Sequence, residues 1–184
     1  MICSNKKISA SSVALINTFL PRNYSFDDIF EPVVVHPGAT IVMSALALGE
    51  WLELSIDEFM EAMIVGYEVV FRVAEAINPW HYNKGFHPTG TCNFIGVSAM
   101  AAKLSNLDIK KTCTSLRLSV DQACGFRQYQ IDGNIADSAF HAAKAAENGI
   151  VVTLLSKKGF ADPGQTIPGK FGLFNCMAGE CWFS

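Results

Sequence analysis

The 184-residue chain has no run of basic residues, and its formal net charge is -3. Proteins that bind nucleic acid concentrate Lys and Arg on one surface, so this charge balance predicts no nucleic-acid partner. Long uncharged apolar runs are also missing, because Glu50, Glu61, Glu68 and Arg72 interrupt the most hydrophobic stretches. A window long enough to cross a bilayer therefore always contains charge, and we expect no membrane-spanning helix.

The cysteines lack the paired spacing that is typical of zinc sites or of disulfide-rich secreted domains. They lie at positions 3, 92, 113, 124, 176 and 181. The N-terminal residues do not resemble an export signal. The sequence thus predicts reduced thiols in a cytoplasmic protein, or a mitochondrial one if an N-terminal segment is missing. Cys92 and Cys113 are predicted to be small core residues rather than nucleophiles.

No alternating strand pattern and no internal repeat is present, and the apolar residues recur at helical spacing. The pattern predicts one all-α domain over residues 1–184. Val33-Val34-Val35 resembles a strand only superficially. Predicted helices cover residues 9–19 (ended by Pro21), 38–52, 55–77, 91–104, 108–123 and 136–156, and residues 127–134 are predicted to be a polar loop. Because its apolar stripe is the longest, the helix from Ser55 to Ile77 is predicted to be central.

The stretch from Pro79 to Thr91 concentrates the polar chemistry of the chain. It holds His81, His87 and Lys84 between two apolar helical patterns. Pro79 ends the preceding helix, and the residue before a proline is pushed away from helical geometry. We therefore expect His87 to lie on a bent segment that enters the next helix and to present its side chain.

Two further groups of polar residues are candidates for a site. Asp27 and Asp28 precede His36, and this set could bind a metal, although a turn that caps or closes a loop is the favoured interpretation. With Lys84 and His141, the candidates suit general acid–base catalysis on an anionic substrate. The alternative is that His81 and His141 are surface or capping residues without a special role.

Four ordered motifs carry a family resemblance. They are His36-Pro37-Gly38 before a small-residue helix, Gly66-Tyr67-Glu68-Val69, the run from His81 to Thr91, and the run from Phe140 to Gly149. From about Ala14 to about Phe174 the chain resembles the N-terminal helical domain of the MmgE/PrpD family. That family includes 2-methylcitrate dehydratase and cis-aconitate decarboxylase.

The resemblance implies a cofactor-free and metal-free lyase that acts on di- or tricarboxylic acids and forms homodimers. It implies pocket histidines at His36 and His87, with His87 as the proton-transfer residue. Substrate-binding roles are implied for Asp27, Asp28, Lys84, Thr89 and His141. In the family a smaller α+β domain closes the active site, and the proteins are more than twice as long as this chain. The sequence is therefore expected to be a helical domain that is incomplete at both ends.

This chain departs from the family pattern at three positions and by one residue inserted before His36. Ser25 stands at the first aspartate of the family's Asp-x-Asp-Asp-Thr turn, Ile29 at its threonine, and Ser138 at a lysine. With the covering domain also missing, we expect the chain alone to give no measurable turnover of 2-methylcitrate or cis-aconitate, and Ser138→Lys alone not to restore it. A non-catalytic helical domain for dimerisation or partner binding, and a fragment of a longer lyase, are the alternatives.

Overall fold

The computed structural model describes Ile2 and residues 6–179, and these residues form helices without a β-sheet. The all-α prediction is confirmed. The helices are α1 (Ala10–Asn23), α2 (Gly38–Leu52), α3 (Ile56–Ile77), α4 (Trp80–Asn83), α5 (Pro88–Leu104), α6 (Ile109–Val120), α7 (Gln128–Asp132), α8 (Ile135–Lys157) and α9 (Leu173–Met177). The valine run forms no strand, since Glu31–Val33 is a 3-10 turn.

Helix α5 lies at the centre of the fold. Every residue of α5 except Lys103 is buried. Helices α2, α3, α6 and α8 pack around it, and α1 packs on α2 and α8. Alanine, glycine and serine side chains allow this, because a helix with small side chains admits neighbours on every face. The hydroxyl groups of Ser98, Ser115 and Thr153 then join α5, α6 and α8 through buried hydrogen bonds of 2.7 and 2.8 Å.

The prediction that the helix from Ser55 to Ile77 is central was wrong. Helix α3 buries one stripe, which includes Ala62, Gly66 and Val70, but exposes Ile56 and Ile64 to solvent. The length of an apolar stripe measures one face of a helix only. Burial on all sides depends instead on small residues around the whole helix, as in α5, whereas the buried small residues of α3 lie in one stripe.

Glycines set the closest helix approaches. A Cβ on Gly96 of α5 would overlap Val70 Cγ2 and lie 2.8 Å from the carbonyl oxygen of Gly66 on α3. On α8, a Cβ at Gly149 would lie 2.6 Å from Val97 Cβ. These contacts bring the backbones of α3 and α8 against α5 and fix the relative positions of the loops that follow.

Local signals predicted several helix ends correctly. Ser55 and Glu58 form the expected capping box at the start of α3. The Asp108 carboxylate accepts a hydrogen bond of 2.8 Å from the Lys111 amide at the start of α6. His87 is the extended residue that precedes Pro88 at the first position of α5, as predicted.

In three segments the helices differ markedly from the sequence prediction. Helix α1 continues past Pro21 to Asn23, because a proline in the last turn removes only one helical hydrogen bond. The segment predicted to be a polar loop contains α7, which ends at Gly133 in the left-handed conformation. The stretch between α3 and α5 contains the short helix α4.

Among the described residues, no helix combines the length and the apolarity needed to cross a bilayer. Cys92 is fully buried, and burial raises its thiol pKa to about 12, which suits a core residue and not a nucleophile. Cys113 is half-buried, whereas Cys3 and Cys181 lie outside the described residues.

Candidate functional site

A pocket of about 630 Å³ opens where the end of α1, the loop before α2, the start of α5 and α7 converge. Its lining residues are Arg22, Ser25, Val34, His36, Tyr82, His87, Tyr129, Gln130, Gly133 and Ile135. His36 and His87 therefore share one pocket although 51 positions separate them in sequence. The pocket combines aromatic walls with a guanidinium and two imidazoles, a composition suited to a small anionic ligand.

The loop before α2 holds His36 by hydrogen bonds from both sides. The His36 amide donates to Thr89 Oγ1 at 3.1 Å, and its carbonyl accepts from Asn93 Nδ2 at 2.8 Å. The ring atom Nδ1 lies 2.8 Å from the carbonyl oxygen of Asp28. Since a carbonyl only accepts, Nδ1 carries the proton and Nε2 keeps a lone pair.

A hydrogen bond between Asp28 and Gly38 joins this loop to the start of α2. The Asp28 carboxylate accepts from the Gly38 amide at 2.7 Å, at the positive end of the helix dipole. A Cβ on Gly38 would overlap that carboxylate oxygen, so only glycine permits the contact. This is the loop-closing role that the sequence favoured for the acidic pair. Among the described residues, no group of three or more His, Cys, Asp or Glu side chains has the geometry of a metal site.

Arg22 and Asp27 form a buried ion pair beside His36. Arg22 Nη1 lies 3.3 Å from Asp27 Oδ1, and both side chains are almost fully buried. Burial raises the pKa of Asp27, and the Arg22 charge opposes that rise. Burial also lowers the pKa of His36, and the Arg22 charge lowers it further. His36 is therefore neutral near pH 7.

His87 is held at the start of α5 against α8. Its amide donates to the Gly125 carbonyl at 3.0 Å, and its ring atom Nδ1 lies 3.1 Å from His141 Nδ1. The edge of its ring faces Tyr129, with the centroids 5.1 Å apart. Burial lowers the pKa of His87 well below its usual value, and the neighbouring His141 and Arg22 lower it further. The imidazole is thus neutral and can accept a proton.

The other residues implied by the family resemblance occupy different positions. Thr89 is fully buried and holds the His36 amide, so it acts on the loop and not in the pocket. Lys84 is exposed, with Nζ 4.5 Å from the centroid of the Trp80 ring, and it does not line the pocket. Asp27 and His141 do not line the pocket. Asp27 contacts the lining residues Arg22 and His36, and His141 contacts the lining residue His87. Substrate-binding roles for these residues stay predictions.

Sequence reasoning assigned no pocket role to Arg22, Tyr82 or Tyr129, which line the pocket. One signal was available for Arg22, since it is the only Lys or Arg between Lys7 and Arg72. Because α1 was predicted to end before Pro21, Arg22 was assigned to a loop and its place in the pocket was missed. Nothing local marks Tyr129, which α7 brings to His87.

Ser25 and Ser138 are two of the positions that depart from the family pattern. Ser25 lines the pocket with a φ of 53°, and Val34 has the same φ, which is unusual for a β-branched residue. Ser138 is fully buried on α8, and its hydroxyl has no hydrogen-bond partner among the described residues.

His81 is a buried histidine outside the pocket. It is fully buried, its ring stacks on Phe86, and neither ring nitrogen has a hydrogen-bond partner among the described residues. Burial lowers its pKa to about 4. The alternative that His81 is a surface or capping residue is therefore wrong, because its ring packs inward from α4.

We expect His81 to make the fold acid-sensitive. The unfolded chain takes up a proton near pH 6.5 and the folded chain only near pH 4, so the stabilisation is complete above pH 6.5 and is lost as the pH falls. The loss between pH 7 and pH 5 amounts to about 2 kcal/mol from His81 alone. Urea unfolding at both pH values should show a loss smaller by that amount in His81→Leu. An equal loss in both proteins would contradict the buried neutral imidazole.

These features define an all-α domain with a polar pocket that presents two neutral histidines and one arginine. The sequence matches the family model described as the MmgE/PrpD N-terminal domain over residues 1–183. The chain therefore belongs to the MmgE/PrpD family. A search of curated proteins found no match to the sequence.

Proposed function

We propose that this chain binds a di- or tricarboxylic acid in the pocket and takes part in removing a proton from the carbon next to a carboxylate. The observation that carries the proposal is the placement of Arg22, His36 and His87 around one pocket of about 630 Å³. Membership of the MmgE/PrpD family, whose members include lyases for 2-methylcitrate and cis-aconitate, supports the reaction class. The proposal includes no metal and no cofactor.

Arg22 is the proposed anchor for a substrate carboxylate. Among the described residues its side chain makes one hydrogen bond, from Nη1 to Asp27, and its buried Nε has no partner. A guanidinium has five N–H donors and binds carboxylates in a two-pronged geometry, so donors remain that Asp27 does not occupy. Asp27 holds the guanidinium in place and partly balances its charge.

His87 is the proposed base. Its pKa is lowered by burial, so it stays unprotonated near neutral pH and can accept the proton from the C–H bond. In a dehydration, the electron pair of the C–H bond forms the new double bond. The hydroxide that leaves the adjacent carbon takes up the proton that His87 has accepted, so water is released and His87 returns to its neutral form. His36 is the second histidine of the pocket. Its Nδ1 donates to the Asp28 carbonyl oxygen, so its Nε2 has a lone pair that can accept a proton.

The carboxylate anchor can be tested by calorimetric binding of 2-methylcitrate and cis-aconitate. We expect Arg22→Gln to weaken binding at least about tenfold, because a charge-assisted contact is lost. Arg117→Gln is the matched control, since Arg117 pairs with Asp162 outside the pocket lining. Because Arg22→Gln leaves Asp27 buried without its partner, thermal unfolding must show that the variant is folded at the assay temperature. Unchanged affinity in the folded variant would contradict the role of Arg22.

A second candidate function is favoured by the surface around the pocket mouth. Tyr24 and Phe26 flank the lining residue Ser25 and are 68% and 82% exposed, and Ile131, next to Gln130, is 82% exposed. Exposed apolar groups of this kind mark surfaces that bind another protein, including a second copy of the chain. A parent chain that binds neither acid but self-associates in sedimentation would favour a dimerisation domain over the lyase proposal.

A further inference from the structure

Asp137, His141 and His87 form a chain of contacts that ends at the pocket. Asp137 and His141 are one turn apart on α8, and His141 Nε2 lies 3.7 Å from Asp137 Oδ2. On the other side of the ring, His141 Nδ1 lies 3.1 Å from His87 Nδ1. The remaining ring nitrogen of His87, Nε2, makes no hydrogen bond to a described residue, and the ring lines the pocket.

Two neutral imidazoles can share this contact in two ways. In the first, His87 Nδ1 donates to His141 Nδ1, so His87 Nε2 has a lone pair and His141 carries its proton on Nε2. In the second, His141 Nδ1 donates, so His87 presents an N–H to the pocket and His141 Nε2 has a lone pair. Only the first arrangement gives His87 a basic nitrogen in the pocket.

Asp137 distinguishes the two arrangements. Its carboxylate favours a proton on the nearby Nε2 of His141 and disfavours a lone pair there. Burial lowers the pKa values of both histidines, so both are neutral near pH 7 and the choice lies between neutral tautomers. The other charged or titratable groups that act on His87 are Arg22, His36 and His81, and the first two face the pocket.

We propose that Asp137 is a positioning residue which acts through His141 to hold His87 in the tautomer with an unprotonated Nε2. A carboxylate that fixes a histidine tautomer is a general device for orienting a base. Here the Asp137 carboxylate acts on His141, and His141 in turn sets the tautomer of His87. The inference deepens the proposed function, because it assigns the atom of His87 that accepts the proton.

The tautomers can be read directly from long-range proton–nitrogen correlation spectra of the 184-residue chain labelled with 15N-histidine. The chain has four histidines, so single substitutions assign each ring. At about pH 7.5, where neutral rings dominate, we expect His87 to show a protonated Nδ1 and an unprotonated Nε2. A protonated Nε2 on His87 in the parent chain would overturn the proposal without any variant.

Substitutions then test the origin of the tautomer. In Asp137→Asn, which removes the charge at constant size, we expect the His87 nitrogen shifts to move towards the opposite assignment. Asp137→Glu should restore the parent pattern. Asp132→Asn is the matched control, because Asp132 on α7 bonds Gln128 and no histidine. His87 shifts in Asp137→Asn that equal those of the parent would overturn the role of Asp137. The spectra need no substrate, so their outcome is independent of carboxylate binding.

Discussion

Replacing His87 with glutamine is expected to slow proton exchange on a bound carboxylic acid by about a hundredfold or more, because general-base catalysis typically contributes that much. The measurement is incorporation of solvent deuterium at the carbon next to a carboxylate of 2-methylcitrate, followed by NMR or mass spectrometry. Exchange needs only a base and a bound substrate, whereas complete turnover needs further groups. It therefore tests the pocket of this domain by itself.

The control for this experiment is His81→Leu, which removes a buried histidine outside the pocket lining. It should exchange at the parent rate at pH 7, where His81 is neutral. His36→Gln separates the two pocket histidines, since a loss confined to His36→Gln would assign the base to His36. Equal exchange rates in the parent and in His87→Gln would contradict the proposed base.

Replacing Gly96 with alanine is expected to lower the free energy of unfolding by about 3 kcal/mol, at the upper end of overpacking effects. The added Cβ would overlap Val70 Cγ2 and lie 2.8 Å from the backbone oxygen of Gly66. A side chain can rotate away, but the Gly66 carbonyl belongs to α3 and moves only with that helix. Urea unfolding at pH 7 measures the change.

Gly49→Ala is the matched control, because Gly49 lies in α2 and a Cβ there would find its nearest neighbour, Phe59 Cδ2, at 3.8 Å. Without a steric conflict, helix propensity predicts a gain of about 1 kcal/mol. The two glycine substitutions should thus change stability in opposite directions. A stabilised or neutral Gly96→Ala would show that α3 and α5 are not in the close contact described.

The sequence alone was sufficient wherever the determining interaction is local. The capping box of Ser55 and Glu58 and the cap at Asp108 are set by residues three positions apart. The extended conformation of His87 follows from the proline after it. The family motifs also predicted His36 and His87 as pocket residues.

Sequence reasoning failed where packing overrides a local signal. Pro21 looked like the end of α1, but the helix continues for another two residues and carries Arg22 to the pocket. The long apolar stripe of α3 suggested a central helix, yet α5 takes that place because small side chains let neighbours approach on all faces. A surface position was the alternative considered for His81, which is fully buried.

The sequence by itself determined the helical class, the family and the local conformation around the two histidines. The tertiary structure decided which side chains share the pocket and which ring nitrogens lie in contact. The contact between His87 and His141 spans 54 positions, and the hydrogen bond from the His36 amide to Thr89 spans 53. Hydrogen bonds of this range depend on how α2, α5 and α8 pack. That packing follows from side-chain volumes over the whole core, and no local pattern contains it.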